Sequence, residues 1–232
     1  MTDPGSPAET RPRLDREKVV RAAVDVIGRQ GVAGLSMRKV GQDLGVEAMA
    51  LYRYVSGRDE LLEAVVEHLL SGITETVDGQ GFTSWQGHLQ GLAHQVRQVA
   101  LDHPAVFPLI ASRHPAAPWL RPPLRSIDLV EHFLKVLVDG GFDDAAAVDA
   151  YKLFTTFLLG FLLLEVVAHG SDITAAGEEP GQGSEERLRE PLAAAPHVRR
   201  MRERLSTDTS TQEFEVGLEA LIDRIARLSR RG

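Results

Sequence analysis

The stretch from Ser36 to Arg58 carries basic, aromatic and hydroxyl side chains of the kinds that bind nucleic acid. An arginine such as Arg53 can donate two parallel hydrogen bonds to O6 and N7 of guanine. The neighbouring Ala48 and Met49 offer only apolar contact, for example to a thymine methyl group. These residue types predict recognition of a DNA groove, and we expect little hydrogen-bonding readout from Ala48 and Met49.

The elements that would position these side chains are two short helices joined by a turn. Ser36 is a suitable N-cap for the first helix, which has one apolar face. Gly45 permits the positive φ that reverses the chain, and Val46 would fill the space between the helices. The second helix, predicted from Glu47 to Tyr54, keeps Ala50 and Leu51 inward, and this predicts a helix-turn-helix whose outward residues are Ala48, Met49, Tyr52 and Arg53.

The remainder of the chain also has helical periodicity, so we predict an all-α fold. Asp15 is a suitable N-cap for the first helix and Gly31 ends it. In the body, helices are expected at about 84–102, 120–139, 143–169, 196–205 and 211–230. A mobile loop is expected at about 171–195, and the predicted domains are a disordered arm (1–13), a DNA-binding domain (14–60) and a ligand-binding and dimerisation domain (61–232).

The net charge of −7 is unevenly distributed. Residues 11 to 58 hold ten Lys or Arg and only five Asp or Glu, so the acidity belongs to the body. A basic head can bind phosphate although the whole chain is acidic. Arg11 and Arg13 could enter a minor groove, or form part of a disordered tail.

Several classes of protein are disfavoured by composition. The chain contains no cysteine, which excludes disulfides and thiolate chemistry. No uninterrupted apolar run reaches the roughly 18 residues of a membrane span, and the N-terminus has no apolar signal segment. We therefore expect a soluble cytoplasmic protein that makes no use of a membrane.

Between Arg16 and Leu70 the sequence resembles the TetR family of repressors. The motifs that carry the resemblance are Gly31-Val-Ala-Gly-Leu, Ser36-Met-Arg-Lys-Val, Leu44-Gly-Val, Leu51-Tyr-Arg-Tyr-Val and Arg58-Asp-Glu-Leu-Leu. By position, the resemblance implies phosphate contacts for Ser36, Tyr52, Tyr54 and Arg58. It implies base contacts for Arg38, Ala48, Met49 and Arg53. A solvated position for Arg38 and a packing role for Tyr54 remain alternatives.

The body from about Ile73 onward resembles the C-terminal domain of the tetracycline-repressor branch, in Tyr151–Glu165 and in the segment that begins at Phe214. The resemblance implies a homodimer held by a four-helix bundle, with an inverted-repeat operator as the DNA partner. The helix around Phe157 has more apolar surface than one stripe needs, which agrees with burial on two sides. The predicted dimer residues are Phe157, Phe161, Phe214, Leu218 and Leu221.

A small-molecule effector is expected in a pocket of the body, and the expected effector is large and mainly apolar. Candidate lining residues are His68, Trp85, Leu92, Phe107, Phe133 and Phe154, with plain core packing as the alternative for the aromatics. Possible polar anchors are His68, His94, His132, Thr155, Thr156 and Glu165. No cofactor and no metal site are predicted, because no metal ligands of the tetracycline type can be aligned.

Two other classes of function remain open from the sequence. An enzyme would have to use the histidine and glutamate residues of the body, but the sequence has no HExxH, GxSxG or Gly-rich phosphate motif. A dimeric interaction module without sequence-specific DNA binding is compatible with the acidic body. We expect a regulator, most simply a repressor, and the sequence leaves its operator and effector unidentified.

Overall fold

The computed structural model describes residues 14–168 and 194–229, and within them the chain is helical and has no strand. The predicted arm at 1–13, with Arg11 and Arg13, lies outside the described residues, as does the predicted loop up to residue 193. The all-α prediction is confirmed. The described helices are α1 (Arg16–Gly34), α2 (Met37–Leu44), α3 (Ala48–Leu51), α4 (Arg58–Leu70), α5 (Ile73–Gly79), α6 (Trp85–Asp102), α7 (Phe107–Ile110), α8 (Ile127–Asp139), α9 (Asp144–Ala168), α10 (Pro196–Ser206) and α11 (Ser210–Ala226).

The helix starts follow from short polar side chains that accept from the first free amides. A side-chain oxygen of Asp15 accepts from the amide of Lys18 at 2.8 Å, and Ser36 and Ser84 cap α2 and α6 in the same way. Hydrogen bonding to the Lys18 amide lowers the pKa of the Asp15 carboxyl below its usual value. Gly31, with φ of 69°, interrupts α1 three residues before its end.

Two compact units divide the chain, one up to Leu69 and one from Leu70. The border therefore lies at the end of α4, whereas the sequence suggested one near residue 60. The functions assigned to the predicted domains stay predictions.

The first unit has a core of aliphatic residues from α1, α2 and α4, including Val26, Val40 and Leu61. Polar contacts then fix its helices. The Arg58 guanidinium donates from Nε to the Leu35 carbonyl at 3.1 Å and from Nη2 to the Val32 carbonyl at 2.9 Å. Arg58 thus ties the start of α4 to the connection between α1 and α2.

The second unit is built around α9, which packs on α6, α8 and α11. Among the described residues, α9 is the helix that by length and composition could cross a membrane. Half of its most apolar window is buried inside the unit. The packing therefore accounts for much of the apolar character of α9.

The helices α8 and α3 are shorter than expected. The α8 helix begins at Ile127, capped by Ser126, and not near Leu120. Pro122 and Pro123 explain the difference, because proline supplies no amide hydrogen and disfavours helix in the residue before it. The α3 helix ends at Leu51, and Tyr52 to Tyr54 continue it only as a turn.

Candidate functional site

The predicted turn between α2 and α3 is held by two glycines. Gly45 ends α2 in the left-handed conformation with φ of 66° and donates to the carbonyls of Gly41 and Gln42. Gly41 was not singled out from the sequence, yet a Cβ there would lie 2.8 Å from the Val46 carbonyl oxygen. Only glycine at position 41 allows the backbone after the turn to approach α2 this closely.

The residues predicted to face a DNA groove lie on the outer side of this motif. Met49 is 76 % exposed and Tyr52 is 48 % exposed, and Arg38 and Arg53 are exposed as well. Such exposure of a large apolar and an aromatic side chain, three residues apart, is typical of a surface that binds a partner. Ala48 is half-buried, and Leu51 fills the core on the inner side.

The basic residues of the first unit differ in whether they form a hydrogen bond or an ion pair within the chain. Most of the described ones have a partner within the chain, and these are Arg16 with Glu67, Lys18 with Asp15, Arg21 with Glu17, Arg29 with Asp43, Lys39 with Gln30, and Arg58 with two carbonyls. Arg38 and Arg53 make no hydrogen bond or ion pair within residues 14–168 and 194–229. Among the described basic residues of this unit, Arg38 and Arg53 thus remain available to DNA, and these are the two arginines expected to approach bases.

Three of the predicted phosphate-binding residues already have contacts within the chain. The Ser36 hydroxyl oxygen accepts from the Lys39 amide at 3.3 Å. The Tyr54 hydroxyl donates to the Leu14 carbonyl at 2.7 Å and so fixes the start of α1. These bonds support the structural alternative for Tyr54, and they leave hydroxyl lone pairs and part of the Arg58 guanidinium available to phosphate.

The second unit contains an apolar cavity between α6, α7, α8 and α9, with a volume of about 30 Å³. Leu92, Phe133 and Phe154, which the sequence proposed as ligand residues, line it. Its volume is far below the roughly 300–1,000 Å³ of pockets that enclose drug-sized ligands. A ligand of that size therefore requires the lining side chains to move, and the remaining lining residues are Leu70, Val96, Ile110, Leu124, Leu129, Tyr151, Thr155, Leu158 and Leu159.

Other predicted ligand residues lie elsewhere. Trp85 packs edge-to-face on Phe142, with ring centroids 5.1 Å apart, in a different cleft. Phe107 is completely buried and is not a lining residue of the cavity. His68 belongs to the first unit, in α4.

The predicted polar anchors are also dispersed. Thr155 lines the cavity, whereas Thr156 is exposed. Glu165 is held in a buried ion pair with Arg97. His132 lies in the cleft that contains Trp85, and His94 is near Glu215 at 3.6 Å.

Burial of Tyr151 beside this cavity raises the pKa of its hydroxyl to about 12. The hydroxyl donates to the Pro122 carbonyl at 2.9 Å. The bond joins α9 to the segment before α8, which also supplies Leu124 to the cavity. Movement of that segment would therefore change the cavity wall.

The three phenylalanines expected at a dimer interface form an aromatic cluster inside one chain. Phe157 and Phe161 contact Phe214, with ring centroids 6.2 and 5.4 Å away. Phe214 and Leu218 are fully buried, and Leu221 is half-buried. The large apolar side chains that remain exposed on the same two helices are Val148, Leu153, Leu164 and Val167 on α9 and Val216 on α11.

Comparisons with known proteins give a consistent result. A family model described as bacterial regulatory proteins, tetR family, matches residues 19–65. A second model, described as tetracyclin repressor-like, C-terminal domain, matches residues 78–228.

Individual relatives cover most of the chain. Tetracycline repressor protein class D of Escherichia coli is 29 % identical over 212 residues, which are 90 % of this chain and 88 % of the relative. An HTH-type transcriptional regulator of Saccharopolyspora erythraea is 28 % identical over 169 residues, 73 % of this chain and 68 % of the relative. The crystal structure of a possible TetR family transcriptional regulator from Streptomyces coelicolor superposes with a TM-score of 0.70 and 30 % identity, covering 92 % of this chain and 100 % of the other.

Proposed function

Because this chain belongs to the tetR family of bacterial regulatory proteins, we propose that it is a transcriptional repressor that binds operator DNA through α2 and α3. A small-molecule effector held in the second unit releases it from the operator. The chain acts as a homodimer on an inverted repeat, because two copies related by a twofold axis place two recognition helices in successive major grooves, about 34 Å apart.

The observation that carries the proposal is the availability of Arg38 and Arg53. By contrast, Lys39, next to Arg38 in the sequence, is paired with Gln30, and Arg29 is paired with Asp43. The exposed guanidinium groups of Arg38 and Arg53, together with the exposed Tyr52, would provide charge, directional donors and a stacking surface. This combination suits a groove of DNA, where Arg38 and Arg53 read base edges and the hydroxyl of Tyr52 contacts phosphate.

Phosphate contacts orient this face. Ser36, Tyr54 and Arg58 lie at the ends of the helices that frame it, and their intrachain bonds hold the groups in position before DNA arrives. Preorganised donors lose less entropy on binding than mobile ones. We therefore assign these three residues both a structural role and a phosphate-contacting role.

The effector is mainly apolar because the cavity is lined almost completely by aliphatic and aromatic side chains. The polar groups in the lining are Thr155 and Tyr151, and Thr155 would orient the effector because the Tyr151 hydroxyl already donates to the Pro122 carbonyl. Relatives named tetracycline repressors support a repressor with a ligand, but the chain offers no basis for naming tetracycline as its own. The cavity must widen to accept the effector, so effector binding favours a state in which α8 and α9 are further apart. Repression ends because the population of chains shifts from the DNA-binding state to this state.

Dimer formation uses the exposed apolar residues of α9 and α11. Leu164 is 74 % exposed in the single chain, and a Cβ added at Gly160, on the same face, would have nothing within 4 Å. A glycine facing open space inside a helix costs about 1 kcal/mol relative to alanine. Close approach of a helix from a second copy accounts for that cost.

The test is a gel-shift assay on the DNA upstream of the protein's own gene. Replacement of Arg53 or Arg38 by Ala should weaken binding by about 1–3 kcal/mol, or five- to 150-fold. Arg113→Ala, which removes an exposed charge from the second unit, is the matched control and should bind as the wild type does. Unchanged binding by Arg53→Ala and Tyr52→Ala would exclude the assigned face, whereas no binding by the wild type would favour an interaction module.

A further inference from the structure

A second cleft in the body has a different chemistry from the apolar cavity. It is an open space of about 270 Å³ between the end of α5, the start of α6 and the end of α8. We name it the histidine cleft, and its ionisable residues are Asp78, His88, His132, Lys135 and Asp139. The proposed function uses none of these groups, and His132, expected from the sequence to be a polar anchor, lies outside the apolar cavity.

The tautomer of neutral His88 follows from its hydrogen bond. Its Nδ1 lies 3.0 Å from the Ser84 carbonyl oxygen. A carbonyl oxygen can only accept, so Nδ1 must carry a proton and Nε2 of the neutral ring must carry a lone pair. That Nε2 atom is 3.6 Å from Oδ1 of Asp78, which is also an acceptor.

His132 directs a second imidazole toward the same oxygen. Its Nε2 is 3.8 Å from Oδ1 of Asp78. The atom is buried and has no hydrogen-bond partner within the described residues. A buried polar atom without a partner costs about 1–3 kcal/mol. Two imidazole nitrogens and one carboxylate oxygen therefore converge on a position that favours a cation.

We propose that His88, His132 and Asp78 bind a late first-row divalent metal ion, of which Zn²⁺ is the test ion. Zinc binds histidine nitrogen and carboxylate oxygen at about 2.0–2.2 Å, so two ligands of a tetrahedral site are about 3.3 Å apart. The observed separations of 3.6 and 3.8 Å exceed this by a few tenths of an ångström. The bond from His88 Nδ1 to a backbone carbonyl is the usual outer support of a metal-bound histidine.

The site is open in this structure and has to close on the ion. Within the described residues, no group of three His, Asp or Glu side chains is placed so that it could hold a metal ion without moving. The ring centroids of His88 and His132 are 6.4 Å apart. Asp78 is 58 % exposed and can rotate, so modest side-chain rotation brings the three ligands together, and water completes the coordination.

The backbone around the cleft is held by aromatic rings that lie against glycines. A Cβ at Gly87 or Gly91 would come within 2.7 Å of the Phe82 ring, and one at Gly140 would lie 2.9 Å from Trp85. These contacts fix the start of α6 against the preceding loop and against the end of α8. The two histidines are therefore carried by elements whose separation is set without the metal.

The remaining charges of the cleft favour a histidine-preferring ion over magnesium. Lys135 is paired with Asp139, so these two groups are neutral in sum. Asp139 and Asp78 both raise the pKa of Lys135. The donor set then contains two imidazoles and one carboxylate, which suits Zn²⁺, Ni²⁺ or Co²⁺ and not Mg²⁺ or Ca²⁺.

A bound ion would link the cleft to the effector cavity. Phe133 and Leu92 line the cavity. His132 directly precedes Phe133, and His88 lies one helical turn before Leu92. Metal binding would cross-link α5, α6 and α8 and so restrict the movement that widens the cavity. This regulatory consequence rests on the proposed function, but binding of the ion does not.

The experiment uses the full chain without a histidine tag, freed of metal by a chelator, and titrated with ZnCl₂ in a calorimeter. We expect one ion per chain and no heat from MgCl₂. His88→Gln, His132→Gln and Asp78→Asn should each weaken Zn²⁺ binding by at least about ten- to a hundredfold. His94→Gln is the matched control, because His94 and Glu215 form a histidine–carboxylate pair without a second histidine.

Three results would overturn the proposal. They are the absence of stoichiometric Zn²⁺ binding by the wild type, Zn²⁺ binding by the cleft variants that equals that of the wild type, and a loss of Zn²⁺ affinity in His94→Gln as large as in the cleft variants. Circular dichroism of each variant verifies folding, and Asp78→Asn keeps the test valid if a histidine variant unfolds, because the Asp78 side chain is mostly exposed. Operator binding is measured separately, so a failed metal titration leaves the DNA-binding proposal standing.

Discussion

Arg97 and Glu165 are joined by two hydrogen bonds, from Nε to Oε2 at 3.0 Å and from Nη2 to Oε1 at 2.6 Å. Glu165 is only 4 % exposed. The Arg97 Nη2 also donates to the Thr211 hydroxyl at 3.1 Å, and the guanidinium lies 4.9 Å from the centre of the Phe214 ring. A single arginine of α6 thus connects α9 and α11, the two helices proposed to form the dimer interface.

Removal of this arginine should be strongly destabilising. Arg97→Met leaves the buried Glu165 carboxylate without its cation, which typically costs about 3–5 kcal/mol. Urea unfolding of the wild type, the single variant and Arg97→Met/Glu165→Leu measures the effect. The double variant should recover most of the loss, because an apolar pair leaves no buried charge. A single-variant loss below about 1 kcal/mol would show that the pair is solvated.

Substitution of Gly41 should disrupt the DNA-binding face. A Cβ at this position meets the Val46 carbonyl oxygen at 2.8 Å, so Gly41→Ala must push the turn away from α2, at a cost of about 1–3 kcal/mol. Gly28→Ala is the control, since Gly28 lies within α1 and has nothing within 4 Å. It should be neutral or slightly stabilising. Equal operator binding by both variants would contradict the assigned role of Gly41.

The proposed dimer predicts a change of mass on a surface substitution. Leu164→Asp places a charge in the interface but leaves the single chain intact, because the side chain is exposed there. Light scattering should then give about 25.4 kDa instead of twice that mass. Val138→Asp, at another exposed apolar position on α8, should remain dimeric. Dimer mass in Leu164→Asp would place the interface elsewhere.

Alkaline stability should report the burial of Tyr151. The folded pKa of about 12 lies above the unfolded value of about 10, so the folded state keeps its proton longer than the unfolded chain does. The contribution is fully present below pH 10 and is lost as pH rises to about 12. Difference absorbance should show one tyrosine titrating last, and Tyr151→Phe should remove that step. Early titration of all three tyrosines would contradict the burial.

Much of the first unit could be predicted from sequence because its determinants are local. Asp15, Ser36 and Gly45 act within one helical turn, so residue type and spacing identify them. Gly41 could not be found in this way. Its constraint comes from a contact with Val46 across the turn, and in the sequence it is simply a glycine inside a helix.

Long-range contacts explain what the sequence left undetermined in the body. From the sequence Glu165 is a candidate ligand anchor, but its carboxylate is paired with Arg97, which lies 68 positions away in the chain. Phe214 and Leu218 have the periodicity of an interface, and in the single chain both are already buried. Trp85 and His132 suggested pocket residues, and tertiary packing places both in the histidine cleft.

The most direct test of the central claim is the salt dependence of binding to the upstream DNA, measured by fluorescence anisotropy with the full chain. A dimer that contacts six to ten phosphates through this face should lose about 10³–10⁵ in affinity between roughly 50 and 200 mM salt. Arg53→Ala should weaken binding throughout the range. Affinity that stays constant with salt, or that is unaffected by Arg53→Ala, would contradict DNA recognition through α2 and α3.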